Sequence, residues 1–262
     1  MKPHEITRLG TDLEDFVAEV FASLVRRDQR ATSGLYLQGL MLDGRRKSMQ
    51  PMAMRLGVDH QRLQQFVSTS AWPVEPVRKV LAHKAVDLIN PQAWVIGDTG
   101  FVKDGHASPG VARQYSGTLG KVGNVQIGVS IHAVTDEASC PLNWRLFLPT
   151  SWDPDYADSP QDAEQIRQRR ARTQIPDEVG HQPKWELAVE MIDELADWGL
   201  VPPVVVADAG YGDTGPFRTG LTARGIDYLV QVPHTISIYP ADAVYETPVY
   251  AGHGRPRGVS PE

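Results

Sequence analysis

From Asp12 to Arg27 the apolar residues Leu13, Phe16, Val17, Val20, Phe21 and Leu24 recur at the spacing that lines one face of a helix. Acids open the segment and arginines close it, as the helix dipole favours, so a helix is expected here. A shorter helix is expected over Leu35–Leu42, stopping near Asp43-Gly44. Beyond it, Met52, Ala53 and Leu56 mark a helix broken at Gly57. Asp59 is placed to cap a following helix bearing Leu63, Phe66 and Val67. A further amphipathic helix, Val77–Ile89, runs to Asn90-Pro91, the expected domain boundary.

After that boundary the period changes from helix to strand. Ala93–Gly97 is an apolar run ending at Asp98. Asn124–Val134 alternates cleanly, with Val125, Ile127, Val129 and Ile131 on one face, and Trp144–Leu148 follows after a connection short enough for a hairpin. Thr150–Pro183 is long and polar and is expected at the surface, with a helix over Ala163–Arg172. Lys184–Trp198 is strongly helical on Trp185, Ala188, Val189, Ile192 and Leu195, and Gly199 suits its end. The run Val204, Val205 and Val206 then stops at Asp208, followed by a helix over Gly215–Arg224 and a strand over Tyr228–Val232. The remainder, residues 236–262, is rich in proline and shows no core pattern, as at the start of an insertion domain or a tail. Trp72, Trp94, Trp144 and Trp185 read as core residues.

The expected fold is therefore α/β. Residues 91–235 give strand–strand–strand–helix–strand–helix–strand, the incomplete front of a ribonuclease-H-like mixed sheet. Residues 1–90 form a small all-α, helix-turn-helix-like domain ahead of it. In such a sheet the strands ending at Asp98 and Asp208 are neighbours, at the end where open α/β sheets carry their chemistry. Two carboxylates brought close repel unless a cation neutralises them. Oxygen-only ligation selects Mg²⁺, with Mn²⁺ as a substitute, over zinc. Two such ions about 3.5–4 Å apart serve phosphodiester transfer, and a third carboxylate is expected to complete the site.

Composition narrows the class without fixing it. With 41% hydrophobic and 22% charged residues the chain reads as globular, and a single cysteine, Cys140, rules out an internal disulfide or thiolate zinc cage. No membrane-length apolar run or signal-peptide core is present, so a cytoplasmic protein is expected. The net charge of −6 hides a basic front part. Arg45, Arg46, Lys47, Arg55 and Arg62 surround the two short helices, as in a DNA reader, although a solvated basic face has the same composition. Lys103, Arg113 and Lys121 are further candidates for phosphate contacts.

The stretches GDTGF around Asp98, VARQYSGTLGKVGNVQIGVSIH, and VVVADAGYGDTGPFRTGLTARGIDYLVQV resemble insertion-sequence transposases of the DDE superfamily. So do KSMQPMAMRLG and LQQFVSTSAW near the front. The resemblance implies Mg²⁺-dependent cutting and joining of double-stranded DNA at transposon ends, by a homodimer when active, with Asp98 and Asp208 as the first two acids. The family's third acid, a glutamate within Tyr-x2-Arg-x3-Glu-x6-Lys, has no counterpart in this sequence; Glu246 and Glu262 lie in irregular, proline-rich sequence. Two readings therefore stand, a transposase or N-terminal fragment of one, and an inactive truncated form acting as a DNA-binding repressor or relic. A third, a dinucleotide-binding oxidoreductase, rests on Gly210-Tyr211-Gly212-Asp213-Thr214-Gly215, which matches G-x-G-x-x-G. Against it, the preceding strand ends in Asp208 and the next carries no acid for a ribose.

Overall fold

A computed structural model describes the backbone of residues 3–236 and the side chains from Arg8 onward. Glu246, Glu262 and the expected insertion domain or tail lie outside the described residues. The chain divides into two compact units, Met1–Asn90 and Pro91–Glu262.

The first unit is built from α1 (Pro3–Val20), α2 (Arg27–Met41), α3 (Met49–Leu56), α4 (His60–Ser68) and α5 (Val74–Ile89). Its core gathers Val20, Phe21, Leu24, Phe66 and Val77, with Trp72 stacked on Phe66 at 5.4 Å between centroids. A second cluster, Met52, Ala53 and Leu63, joins α3 to α4. Gly57 closes α3 in the left-handed region (φ 67°), which a glycine adopts without steric cost, and Asp59 caps α4 by accepting from the Gln61 amide. The first helix stops at Val20 rather than Arg27, and α2 starts well before Leu35. Polar residues hid that early start. Thr32 and Ser33 satisfy their hydroxyls on the carbonyls of Asp28 and Arg30, and Gln29 bonds Ser70 and Ala71, so all three sit buried within a helix.

The second unit is a mixed α/β fold of the ribonuclease-H-like kind. Its strands are β1 (Ala93–Val102), β2 (Ala112–Ser116), β3 (Lys121–Val134), β4 (Ser139–Phe147), β5 (Val205–Ala207) and β6 (Tyr228–Val230). They form one sheet in the order β2-β3-β1-β5-β6, with β4 also paired to β3. β3 runs antiparallel to β1, β2 and β4, while β1, β5 and β6 run parallel. Val125, Ile127, Val129, Ile131 and Ala133 on alternate positions of β3 are buried. Helix α7 (Lys184–Asp197) packs on β3 and β4 through a face carrying Leu187, Ala188, Met191, Ile192 and Leu195, and α9 (Gly215–Ala223) lies beside it.

Three expectations need correction. β1 does not end at Asp98; its backbone continues to pair with β3 as far as Val102↔Val125. Trp144 is 48% exposed instead of buried, because β4 presents its alternate positions away from α7. The polar stretch after β4 carries the expected helix but does not lie wholly at the surface. Trp152 is fully buried there, and the buried Arg170 guanidinium of α6 (Pro160–Arg172) donates to the carbonyls of Trp152, Pro176 and Val179. Backbone carbonyls thus satisfy an arginine whose burial is invisible in composition.

Candidate active site

Register brings Asp98 and Asp208 to the same end of the sheet. The parallel pairing of β1 with β5 ends at Ile96↔Ala207, so Asp208 is the first residue beyond β5 and Asp98 the second beyond that pairing on β1. Asp98 shares a face with Trp94 and Ile96, since side chains alternate along the strand. Where β5 stops, that face opens into a cleft of about 320 Å³ lined by Asp98, Asp208, Lys184, Tyr211, Ser116 and Ile127, among others. Both aspartates therefore face one cavity.

Each carboxylate is oriented. Asp208 caps α8 (Ala209–Gly212), its Oδ1 accepting from the Gly210 amide at 2.9 Å. Asp98 is held from two sides: the Tyr211 hydroxyl donates to Oδ1 at 2.5 Å, and the Lys184 ammonium donates to Oδ2. Tyr211 is 3% exposed and packs against Phe217. Burial, and then the neighbouring Asp98 and Asp208 carboxylates, push its phenol well above the usual tyrosine range. It stays a neutral donor at any physiological pH, and the influence of both aspartates on one phenol reflects how close the three groups lie.

The glycines after β5 have a local cause. A Cβ on Gly212 would stand 2.0 Å from the Gln231 carbonyl oxygen, where the chain leaving β6 passes α8. A Cβ on Gly210 would stand 3.1 Å from the Asp208 Oδ1 that its own amide holds, so a side chain there would crowd the carboxylate. These contacts place Tyr211 over Asp98.

The oxygen-only pair Asp98 and Asp208 suits a hard divalent cation such as Mg²⁺ or Mn²⁺. Among the described residues no group of three His, Cys, Asp or Glu side chains is placed to hold a metal, so the pair would by itself be only part of a ligand set.

The basic candidates separate into groups. Arg45, Arg46 and Lys47 are exposed between α2 and α3, and the exposed Arg55 reaches back to donate to the Arg46 carbonyl. The Lys47 ammonium donates to the Leu42 carbonyl. Arg62 instead bonds Thr32 on α2 at 2.9 Å. Thr32 lies roughly 15 Å along that helix axis from Leu42, at 1.5 Å per residue. In the second unit, Lys103 follows the end of β1 and bonds Asn124 through its backbone amide, and Asn124 pairs with Arg113, so these two bases share one face of the sheet. Lys121 pairs with Ser116 and falls on the opposite face, the one that carries Asp98.

Lys184 and Tyr211 join the site by contacts to Asp98 that no motif in the sequence marks. One signal for Lys184 was available: it is the first residue of α7, where the helix dipole disfavours a cation.

A profile of the DDE superfamily endonucleases matches residues 19–262. The chain is also 28% identical over 208 residues to "Probable transposase for insertion sequence element IS701" of Microchaete diplosiphon, an alignment covering 77% of this chain and 49% of that relative. It thus spans about half the length of the curated relative it matches. Among the described residues no helix is long and apolar enough to cross a membrane. With a profile match over nearly its whole length and two aspartates on one cleft of a ribonuclease-H-like sheet, the chain belongs to the DDE superfamily of endonucleases.

Proposed function

We propose that this chain carries the first two acids of a transposase that cleaves double-stranded DNA at insertion-sequence ends and joins the strands to a target. The observation that carries this reading is the convergence of Asp98 and Asp208 on one cleft of a chain in a metal-dependent endonuclease family. Asp98 and Asp208 would hold Mg²⁺, with Mn²⁺ as substitute. When bound, the metal supplies activation of the attacking oxygen and stabilisation of the leaving one. The protein's own part is to orient the carboxylates: Tyr211 and, in the metal-free chain, Lys184 hold Asp98, and the Gly210 amide fixes Asp208. Arg45, Arg46, Lys47 and Arg55 form the proposed front contact with DNA phosphates, with Arg62 displaced along α2. Lys103, Arg113 and Lys121 are proposed as contacts on the sheet unit. The active form proposed is a cytoplasmic homodimer.

A second reading is a DNA-binding repressor without cleavage activity. It is favoured by the lack, among the described residues, of a third acid beside the pair. One assay separates them. The 262-residue chain is mixed with DNA bearing insertion-sequence ends over a salt series, and Mg²⁺ is then added. The proposal expects retention with a log–log salt slope of about −4 from the four or five front contacts, steepening toward about −7 when the three contacts on the sheet unit engage as well. It also expects Mg²⁺-dependent nicking that Asp98→Asn abolishes. Retention without nicking would favour the repressor, and absence of retention at any salt would remove both.

A further inference from the structure

Asp98 has both oxygens engaged, one by a phenol and one by an ammonium. Each of those oxygens keeps a lone pair for a metal ion, so the conflict is one of charge: a divalent ion on Asp98 would stand beside the Lys184 ammonium and repel it, whereas the Tyr211 phenol is neutral. The two differ in freedom. Tyr211 is 3% exposed, its ring packed on Phe217 and its backbone held in α8 between β5 and the chain leaving β6. Lys184 is 31% exposed at its side chain and carries its charge on a flexible four-carbon stem. The ammonium already lies 5.3 Å from the Phe147 ring centroid, a contact that does not depend on Asp98. Its position in α7 adds an independent argument. A cation at the first residue of a helix opposes the dipole, and Asp98 offsets that cost.

We infer that Lys184 is a built-in cation that occupies Asp98 before the metal does and yields its place when a divalent ion binds. This rests on the reading of Asp98 and Asp208 as metal ligands. In the metal-free chain the ammonium neutralises Asp98 beside Asp208 and keeps the cleft assembled. On metal binding it is released into the same cleft, a cation free for another anion. Lys184 is thus a positioning residue that sets metal affinity.

The test is Mn²⁺ titration by electron paramagnetic resonance of the native chain, Lys184→Gln and Asp208→Asn, with Mg²⁺-dependent amine acetylation of the native chain read by mass spectrometry. Removing a competing, partly exposed ion pair is expected to tighten Mn²⁺ binding roughly two- to fivefold. Acetylation of Lys184 is expected to rise on adding Mg²⁺, a change that simple loss of charge near the site would not explain. Unchanged or weaker Mn²⁺ binding by a folded Lys184→Gln variant would overturn the inference. So would Lys184 labelling that does not respond to Mg²⁺, and this arm stands even if the variant fails to fold. Asp208→Asn distinguishes the two levels: if it leaves Mn²⁺ affinity unchanged, the site assignment itself fails.

Discussion

Tyr211 shows how one residue can matter to a site without belonging to its expected chemistry. Its hydroxyl is the buried, neutral donor to Asp98, while Tyr115 lines the same cleft 62% exposed. Hydrogen bonds to charged groups contribute about 1.5–3 kcal/mol, and a partly exposed acceptor recovers some of that from water. Tyr211→Phe is therefore expected to lower stability by about 1–2 kcal/mol in urea unfolding. Tyr115→Phe should stay within about 0.5 kcal/mol, as surface changes do. Equal effects would mean that the Asp98 contact carries no weight. The two aspartates were legible in the sequence because each stands at the end of an apolar run. Lys184 and Tyr211 were not, because what joins them to Asp98 is a contact across 86 and 113 residues of chain.

Among the elements, those marked by an apolar run or period were readable, the three-residue β5 and β6 included, and those without such a mark were not. Helix α7 and strand β3 follow their patterns to within a few residues. Strand β2 was missed: five residues holding two exposed side chains, Arg113 and Tyr115, give no apolar run. The end of β1 was misplaced since a β3 partner, not local composition, carries it to Val102. The glycines after Asp208 match a dinucleotide fingerprint by spacing, yet Gly212 answers to a close approach by the Gln231 carbonyl. Forcing a methyl group into such a contact costs up to about 3 kcal/mol. Gly212→Ala is expected to lose that much stability, whereas Gly117→Ala, with no atom within 4 Å of the added carbon, should be nearly neutral. A neutral Gly212→Ala would show that α8 and the β6 exit are free to part.

At the scale of the whole molecule, two compact units share one chain, and each has its own core. The ribonuclease-H-like order of strands was readable because the period changes after Asn90 and only a few connections suit a hairpin followed by helix–strand–helix–strand. What the order delivers is a pair of acids on one cleft, and everything proposed about cleavage depends on that pair holding a metal. The most direct measurement is an anomalous-scattering map from crystals grown with Mn²⁺. The expected result is a peak about 2–2.5 Å from carboxylate oxygens of both Asp98 and Asp208, with the Lys184 ammonium moved off Asp98. Saturating Mn²⁺ with no peak between the two aspartates would contradict the account.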